Sequence, residues 1–527
     1  MKIERINNTS RNIIYGAALQ ILKLGVPFFM RTAMIYLLGV EYLGLNSLFT
    51  SVLSVLNLAE LGVGSAMVYS MYKPIAEDDT DKICALMGLY KKYYRIIGIV
   101  IFILGMFLLP FIPKLIKGDV PADMNVYILY LLNLLATVFS YWLFAYKASI
   151  LQAHQRNDIV SKVTLVTDSI KYLMQLLVLV ITKNYYLYVI VILLTQILNN
   201  IATAFFAEKM YPQYRATGTL SGKEQKTINC RIRDLFTAKL GTVIVYSSDT
   251  IVISAFLGLR VLAIYQNYYY LFTAVTAMIT IIYTSVRAGL GNSIIVDNKE
   301  KVFADFKKFL LIIVWIAGFC STCFFCLYQP FMELWVGNDL LMEFGVVVCL
   351  VIYFFVHCLN TFLNSYKDAS GIWHEDRFRP LVEAMTNLIL NIVLVNIIGL
   401  YGIVLSTIFS MLLVAPWLIH NLFRLVFGQN HIREFLIRLT YYVFVTFFAA
   451  VSTYWICSFI IGNLIYVIIV RATVCVLFTD FLLLLFYHKI PEFKQCVILA
   501  DNMTRHRLKI IHKAAVSYKQ QEDQYVR

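Results

Sequence analysis

The chain has 527 residues, 60 % of them apolar and only 14 % charged, with a mean hydropathy of +0.73. Soluble domains run near 45–50 % apolar and about 25 % charged, so this surplus of apolar surface excludes an ordinary soluble enzyme. Ten prolines and 24 glycines are too few for a disordered or collagen-like chain. The net charge of +14 raises nucleic acid as a partner, and its placement argues against one.

Apolar runs of about 20 residues predict fourteen membrane-spanning helices. In chain order they fall at 12–38, 45–72, 94–111, 126–148, 160–182, 185–207 and 235–257, then 263–286, 309–328, 344–364, 381–399, 401–423, 440–460 and 464–487. With the N-terminus inside, 36 Lys and Arg lie on that side, against Lys114, Lys117, Lys183 and Arg260 opposite. Lys23, Arg31, Lys171, Lys239 and Arg471 lie within spans. The positive-inside rule then puts both termini in the cytoplasm. The basic excess is topological and attracts anionic lipid, so nucleic acid is not expected as a partner. The N-terminal tail is polar and leads straight into a span, which does not read as a cleavable signal.

The outward connections are short and carry scattered acids, Glu41, Asp119, Asp123, Glu333 and Asp339, with no catalytic motif and no P-loop. Cys320, Cys323 and Cys326 have a metal-like spacing, but they sit on an apolar helix without His or carboxylate nearby. Packing explains them better. No metal site, no cofactor and no catalytic residue is expected. A chain without an outer domain must work through its helices, which points to transport rather than to an enzyme.

A weak internal repeat divides the chain. At an offset of 219, Leu38-Gly39 and Leu43 recur as Leu257-Gly258 and Leu262, while Val163, Thr167, Asp168 and Ile170 become Val382, Thr386, Asn387 and Ile389. At 220, Tyr146-Lys147 and His154 recur as Tyr366-Lys367 and His374. At 227, Gly62-Val63-Gly64 recurs as Gly289-Leu290-Gly291. Two six-helix lobes related by a parallel pseudo-twofold follow. The expected domains are an N-lobe (1–207), a cytoplasmic linker (208–234), a C-lobe (235–427), two appended helices (428–487) and a basic cytoplasmic tail (488–527).

At 100° per residue, Gln20, Lys23, Pro27 and Arg31 share one face of the first span. Their repeat equivalents are Lys239, Thr242, Tyr246 and Thr250 of the seventh, with Asp249 at the margin. Asn46, Thr50, Asn57, Glu60 and Gly64 share a face of the second span and map to Thr273, Ala277, Thr284, Arg287 and Gly291 of the eighth. Lys23 is deep in its span, where a cation wants an anion. Asp168 and Lys171, three residues apart on the fifth span, are spaced to pair. Glu383, Asn387 and Asn391 make a face of the eleventh. Tyr268-Tyr269-Tyr270 fits either sugar stacking or an interfacial anchor.

The opening of the first span with Asn12, Tyr15 and Arg31, then Leu38-Gly39-Val40-Glu41-Tyr42-Leu43-Gly44-Leu45 and Glu60-Leu61-Gly62-Val63-Gly64-Ser65-Ala66, resembles the bacterial polysaccharide flippases. These are the O-antigen and capsule type translocases of the multidrug/oligosaccharidyl-lipid/polysaccharide exporter superfamily. The resemblance implies a V-shaped all-α exporter in the bacterial inner membrane. It implies flipping of a polyprenyl-diphosphate-linked oligosaccharide to the outer leaflet by alternating access around a central cavity. Substrate binding would fall to Lys23, Arg31, Lys239, Arg287 and Asn57. Asp249, Glu60 and Asp168 are the candidates for coupling to H+ or Na+, and Glu60 with Arg287 is a candidate cytoplasmic gate. Lipid-linked substrate, membrane lipids and other polysaccharide-assembly proteins are the expected partners. The alternatives are a cation-coupled multidrug exporter of the same superfamily and, less favoured, a membrane-embedded glycosyltransferase or polymerase.

Overall fold

Long apolar runs punctuated by glycines and polar turn residues give a chain built of helices. The computed structural model describes residues 5–60, 62–118, 120–121, 123–503, 506–509 and 512–518; the side chains of 5–10, 13, 234, 237–239, 242, 285–289 and 503 lie outside that description. Among the described residues there is no strand. The helices are α1 (Arg5–Leu37), α2 (Val40–Leu56), α3 (Val63–Ala76), α4 (Thr80–Leu108), α5 (Val126–Trp142), α6 (Ala148–Ala153), α7 (Asn157–Thr182), α8 (Tyr185–Met210) and α9 (Gly222–Leu257). They continue as α10 (Leu259–Val296), α11 (Lys299–Val336), α12 (Phe344–Ala369), α13 (Arg379–Ile398), α14 (Leu400–Leu422), α15 (Ile432–Ser458), α16 (Leu464–Val474), α17 (Asp480–Tyr487) and α18 (Pro491–Met503).

Eleven segments of the described chain are long and apolar enough to cross a membrane, or twelve when the pair around α5 and α6, bent by 47°, counts as one. They fall where twelve of the fourteen expected spans fall. The seventh and eighth lie on α9 and α10. Of these, α9 carries an apolar stretch at Val243–Leu257 among the described residues.

Asp79, Asn125, Asn184, Ser221, Asn298 and Asn463 cap helices by accepting backbone amides from the first turn. The repeat has a backbone signature. Gly39 joins α1 to α2 at φ 127°, and Gly258 joins α9 to α10 at φ 93°, both in the region that favours glycine.

The apolar pattern is turned outward, as a lipid solvent requires. Phe29, Phe107, Ile181 and Ile397 are each about 70 % exposed, whereas Asn267, Asn387, Asn391 and Thr322 are completely buried. Hydrocarbon tolerates exposed apolar side chains and penalises unpartnered polar ones.

The chain forms two compact units, one of Met1–Gln266 with Ala384–Ile403 and one of Asn267–Glu383 with Val404–Arg527. In the first, α1 packs along α7 and α2, α5 lies against α4 and α8, and α9 lies against α2 and α3. In the second, α11 is the central post, flanked by α12, α15, α16 and α18.

At one end of the first unit the α9–α10 corner is gripped closely. The Lys117 amide donates to the Ser254 carbonyl at 3.0 Å. A Cβ on Gly258 would come within 2.8 Å of the Lys117 oxygen, and one on Gly44 would strike the Leu259 carbonyl. Gly44→Ala should therefore cost about 1–3 kcal/mol through overpacking and lower the melting temperature of the detergent-solubilised protein by several degrees. Gly25→Ala, on α1 with nothing within 4 Å, should be neutral within about 0.5 kcal/mol. Equal melting temperatures for both variants would contradict the close approach at Gly44.

Candidate functional site

The polar residues of α1, α9, α10 and α13 meet inside the first unit. Arg31, near the end of α1, donates from Nη1 to the Gln266 carbonyl of α10 at 3.4 Å. The Gln266 side chain in turn donates to Thr250 Oγ1 of α9 at 2.9 Å. Thr250 is the repeat equivalent of Arg31, so the two polar faces expected on the first and seventh spans are linked through a residue outside both stripes. Nothing in the sequence distinguishes Gln266 from other polar residues at a helix start.

One residue earlier on α9, the polar face turns to α13. Ser248 donates to Asn387 Oδ1 at 2.9 Å. The Asn391 amide donates to Asp249 Oδ1 at 2.7 Å and to Asn387 Oδ1 at 3.2 Å. All four residues are at most 7 % exposed. Asn391 Oδ1 is buried with no hydrogen-bond partner, so a carboxylate stands beside an unsatisfied amide oxygen. Such a set of hard oxygen donors suits a proton or a small hard cation.

The second cluster surrounds Glu60. Periodicity alone places Asn46 to Gly64 on one continuous helical face, and the backbone departs from it: α2 ends at Leu56, Asn57–Glu60 is a 3-10 turn, and Gly62 has φ 87°. A Cβ on Gly62 would approach Leu235 Cβ to 2.7 Å and the Ile232 oxygen to 3.0 Å, so the close approach of α9 also requires glycine there. The break re-aims the side chains. Asn57 Oδ1 accepts from Tyr141 at 3.2 Å. Glu60 accepts from Tyr94 at 3.2 Å, and Tyr94 accepts from Tyr90 at 2.6 Å. Glu60 thus lies in a cavity of about 530 Å³ within this unit, lined also by Tyr69, Tyr72, Ser149 and Gln152.

Lys23 is exposed about halfway along α1, roughly 21 Å from the Leu37 end. No hydrogen bond or ion pair to it occurs among the described residues. Asp168 is held by Lys171 at 2.6 Å. Lys239 and Arg287 have side chains outside the described residues, and so does the pairing of Arg287 with Glu60 as a gate. Asn12 is a structural clasp: its side chain donates to the Gln155 carbonyl and accepts from the Asp158 amide at the start of α7. In the second unit, Tyr268 is fully buried and donates to Gln329 Oε1 at 2.7 Å, so it is neither a sugar platform nor an interfacial anchor. Glu383 pairs with Arg379, which also binds Asp376 and Asn364.

Known transporter structures share this fold. The lipid II flippase MurJ in an inward closed conformation aligns over 91 % of this chain and 99 % of its own, with a TM-score of 0.66 and 15 % identity. An inward-facing multidrug resistance MATE family transporter of the MOP superfamily aligns over 79 % of this chain and 98 % of its own, with a TM-score of 0.57 and 15 % identity. The Vibrio cholerae MATE transporter VcmN, in a point-mutant form, aligns over 79 % and 97 %, with a TM-score of 0.53 and 13 % identity. No family model and no curated protein matches the sequence. The chain is an all-helical, multi-pass protein with the exporter fold of MurJ and the MATE transporters.

Removing the Asn391 amide leaves the Asp249 carboxylate short of a buried donor. Asn391→Ala should destabilise the protein by about 1–3 kcal/mol, read as a loss of melting temperature in detergent. Asn396→Ala, at an exposed position of the same helix, should change little; if both behave alike, the network has no structural weight.

Proposed function

We propose that the chain is a flippase. Its cargo is a polyprenyl-diphosphate-linked oligosaccharide, moved from the inner to the outer leaflet of the bacterial cytoplasmic membrane for surface polysaccharide biosynthesis. The observation that carries this reading is the extent of the structural match. The flippase MurJ accommodates 91 % of the chain, whereas the multidrug transporters accommodate 79 %. The additional length favours the lipid-flippase branch of the fold. The positive-inside asymmetry supports cytoplasmic termini.

In this reading, Lys23 meets the diphosphate. An exposed ammonium deep along α1 is costly against hydrocarbon and is stabilised by an anionic group, with the lipid tail remaining in the bilayer. Arg31, tied to Gln266, supplies positive potential nearer the Leu37 end of the same helix. Asp249, with Asn387 and Asn391, is the coupling site, occupied by H+ or Na+. Occupancy changes the charge of a buried group, and so biases the exchange between states that hold it differently.

A multidrug exporter is the second reading. It draws on the Glu60 cavity, where a carboxylate among tyrosines would attract an organic cation. The two readings differ in what Lys23 does, since a cation on the pathway opposes a cationic drug.

Lys23→Ala should abolish surface polysaccharide in cells that depend on this chain, with its abundance in the membrane unchanged. Lys23→Arg should retain part of it. Normal polysaccharide in Lys23→Ala cells would remove Lys23 from the cargo path. In reconstituted vesicles, Asp249→Asn should make flipping insensitive to an imposed sodium or proton gradient. Wild-type gradient dependence in that variant would exclude Asp249 as the coupling group.

A further inference from the structure

Three cysteines distant in sequence converge within the second unit. Cys326 of α11, Cys457 near the end of α15 and Cys475 directly after α16 bring their sulfurs within 4.8 Å of one another. Each is at most 1 % exposed. Cys323, one turn before Cys326 on α11, packs against the three. The run Cys320, Cys323 and Cys326 reads from the sequence as helix packing, and taken alone it lacks ligands. The structure adds two thiols from two other helices.

Two features set this cluster apart from packed small side chains. Cys475 opens a π-helical segment, Cys475–Thr479, the kind of helix irregularity that frequently accompanies functional sites. Arg471 stands one turn before Cys475. Its Nη2 donates to the Ile460 carbonyl at 3.4 Å, Ile460 packs against the cysteines, and its Nε is buried without a hydrogen-bond partner. A guanidinium held beside three thiols is what a thiolate cluster needs in a medium of low dielectric.

We propose that Cys326, Cys457 and Cys475 form a binding site for one thiophilic divalent ion of the Zn(II) type. A zinc–sulfur bond of about 2.3 Å sets ligand sulfurs roughly 3.8 Å apart in a tetrahedron, so side-chain adjustment of about 1 Å or less closes the site. Each ligating thiol gives up its proton on binding. Three thiolates and a dication carry one net negative charge, and Arg471 offsets it, which makes the occupied site electroneutral inside the membrane. The ion would staple α15 and the α16–α17 segment to α11. A hydrogen bond from Trp315 of α11 to Asp480, at 2.9 Å, already ties α17 to α11.

The test uses the full-length protein, purified in detergent under reducing conditions and stripped with a chelator. Titration with Cd(II) should produce a thiolate-to-metal charge-transfer band saturating at a single ion per chain. Zn(II) should be retained through gel filtration and should raise the melting temperature, because an ion bound only by the folded state stabilises it. Cys475→Ser and Cys457→Ser should each weaken binding by about tenfold or more. Cys349→Ser and Cys230→Ser, away from the cluster, should leave it unchanged. The wild-type measurements stand on their own if a cluster variant fails to fold. No charge-transfer band in the folded wild type would overturn the site. So would a band of equal strength in folded Cys475→Ser protein, which would mark adventitious metal only.

Discussion

A lipid solvent offers helices no hydrophobic reason to associate, so contacts between polar groups and close backbone approach must hold the bundle together. The first unit is organised by that constraint. Ser248, Asp249 and Thr250 are consecutive on α9: Ser248 donates to α13, Asp249 accepts from α13, and Thr250 accepts from Gln266 of α10. Arg31 of α1 joins the same set through Gln266. Each bond satisfies a group that hydrocarbon would penalise, and each fixes where one helix lies against another. Gly44 and Gly258 complete the arrangement by letting backbone meet backbone where a side chain would hold the helices apart.

The same constraint connects the structure to the proposed transport. In a polar network buried in a membrane protein, a group left unsatisfied carries a cost that a bound partner would relieve. In the proposed function, Asp249 beside the unpartnered Asn391 oxygen is the group that responds to a bound proton or cation and couples an ion gradient to a change of conformation. In the same proposal Lys23 is the converse case: an exposed charge whose cost an anionic headgroup would offset. Both residues sit on helices whose packing depends on the polar contacts described above.

The spans were legible in the sequence because apolar run length reports directly on bilayer thickness. The repeat was legible at Gly39 and Gly258, where the chain needs the same unusual backbone twice. Which residues meet was less legible. Periodicity assigns Asp249 to one face of α9 and Asn391 to one face of α13, but not the fact that these faces touch. Around Glu60 periodicity misleads for a definite reason. It assumes an unbroken helix through Gly62, and the 3-10 turn there points Asn57 and Glu60 at tyrosines of α4 and α5. The cysteine cluster was hidden because its members lie on three helices, and sequence spacing reveals only ligands that share one.

The flippase reading rests on the cargo, and a reconstituted system interrogates the cargo directly. The purified chain would be inserted into liposomes carrying a polyprenyl-diphosphate oligosaccharide with a fluorescent sugar, and accessibility of the label to a membrane-impermeant quencher would be followed over time. The account predicts that the protein accelerates exchange of the labelled headgroup between leaflets, and that Lys23→Ala returns it to the protein-free rate. Protein that leaves the headgroup exchange at the protein-free rate, yet moves an organic cation across the same vesicles, would contradict it.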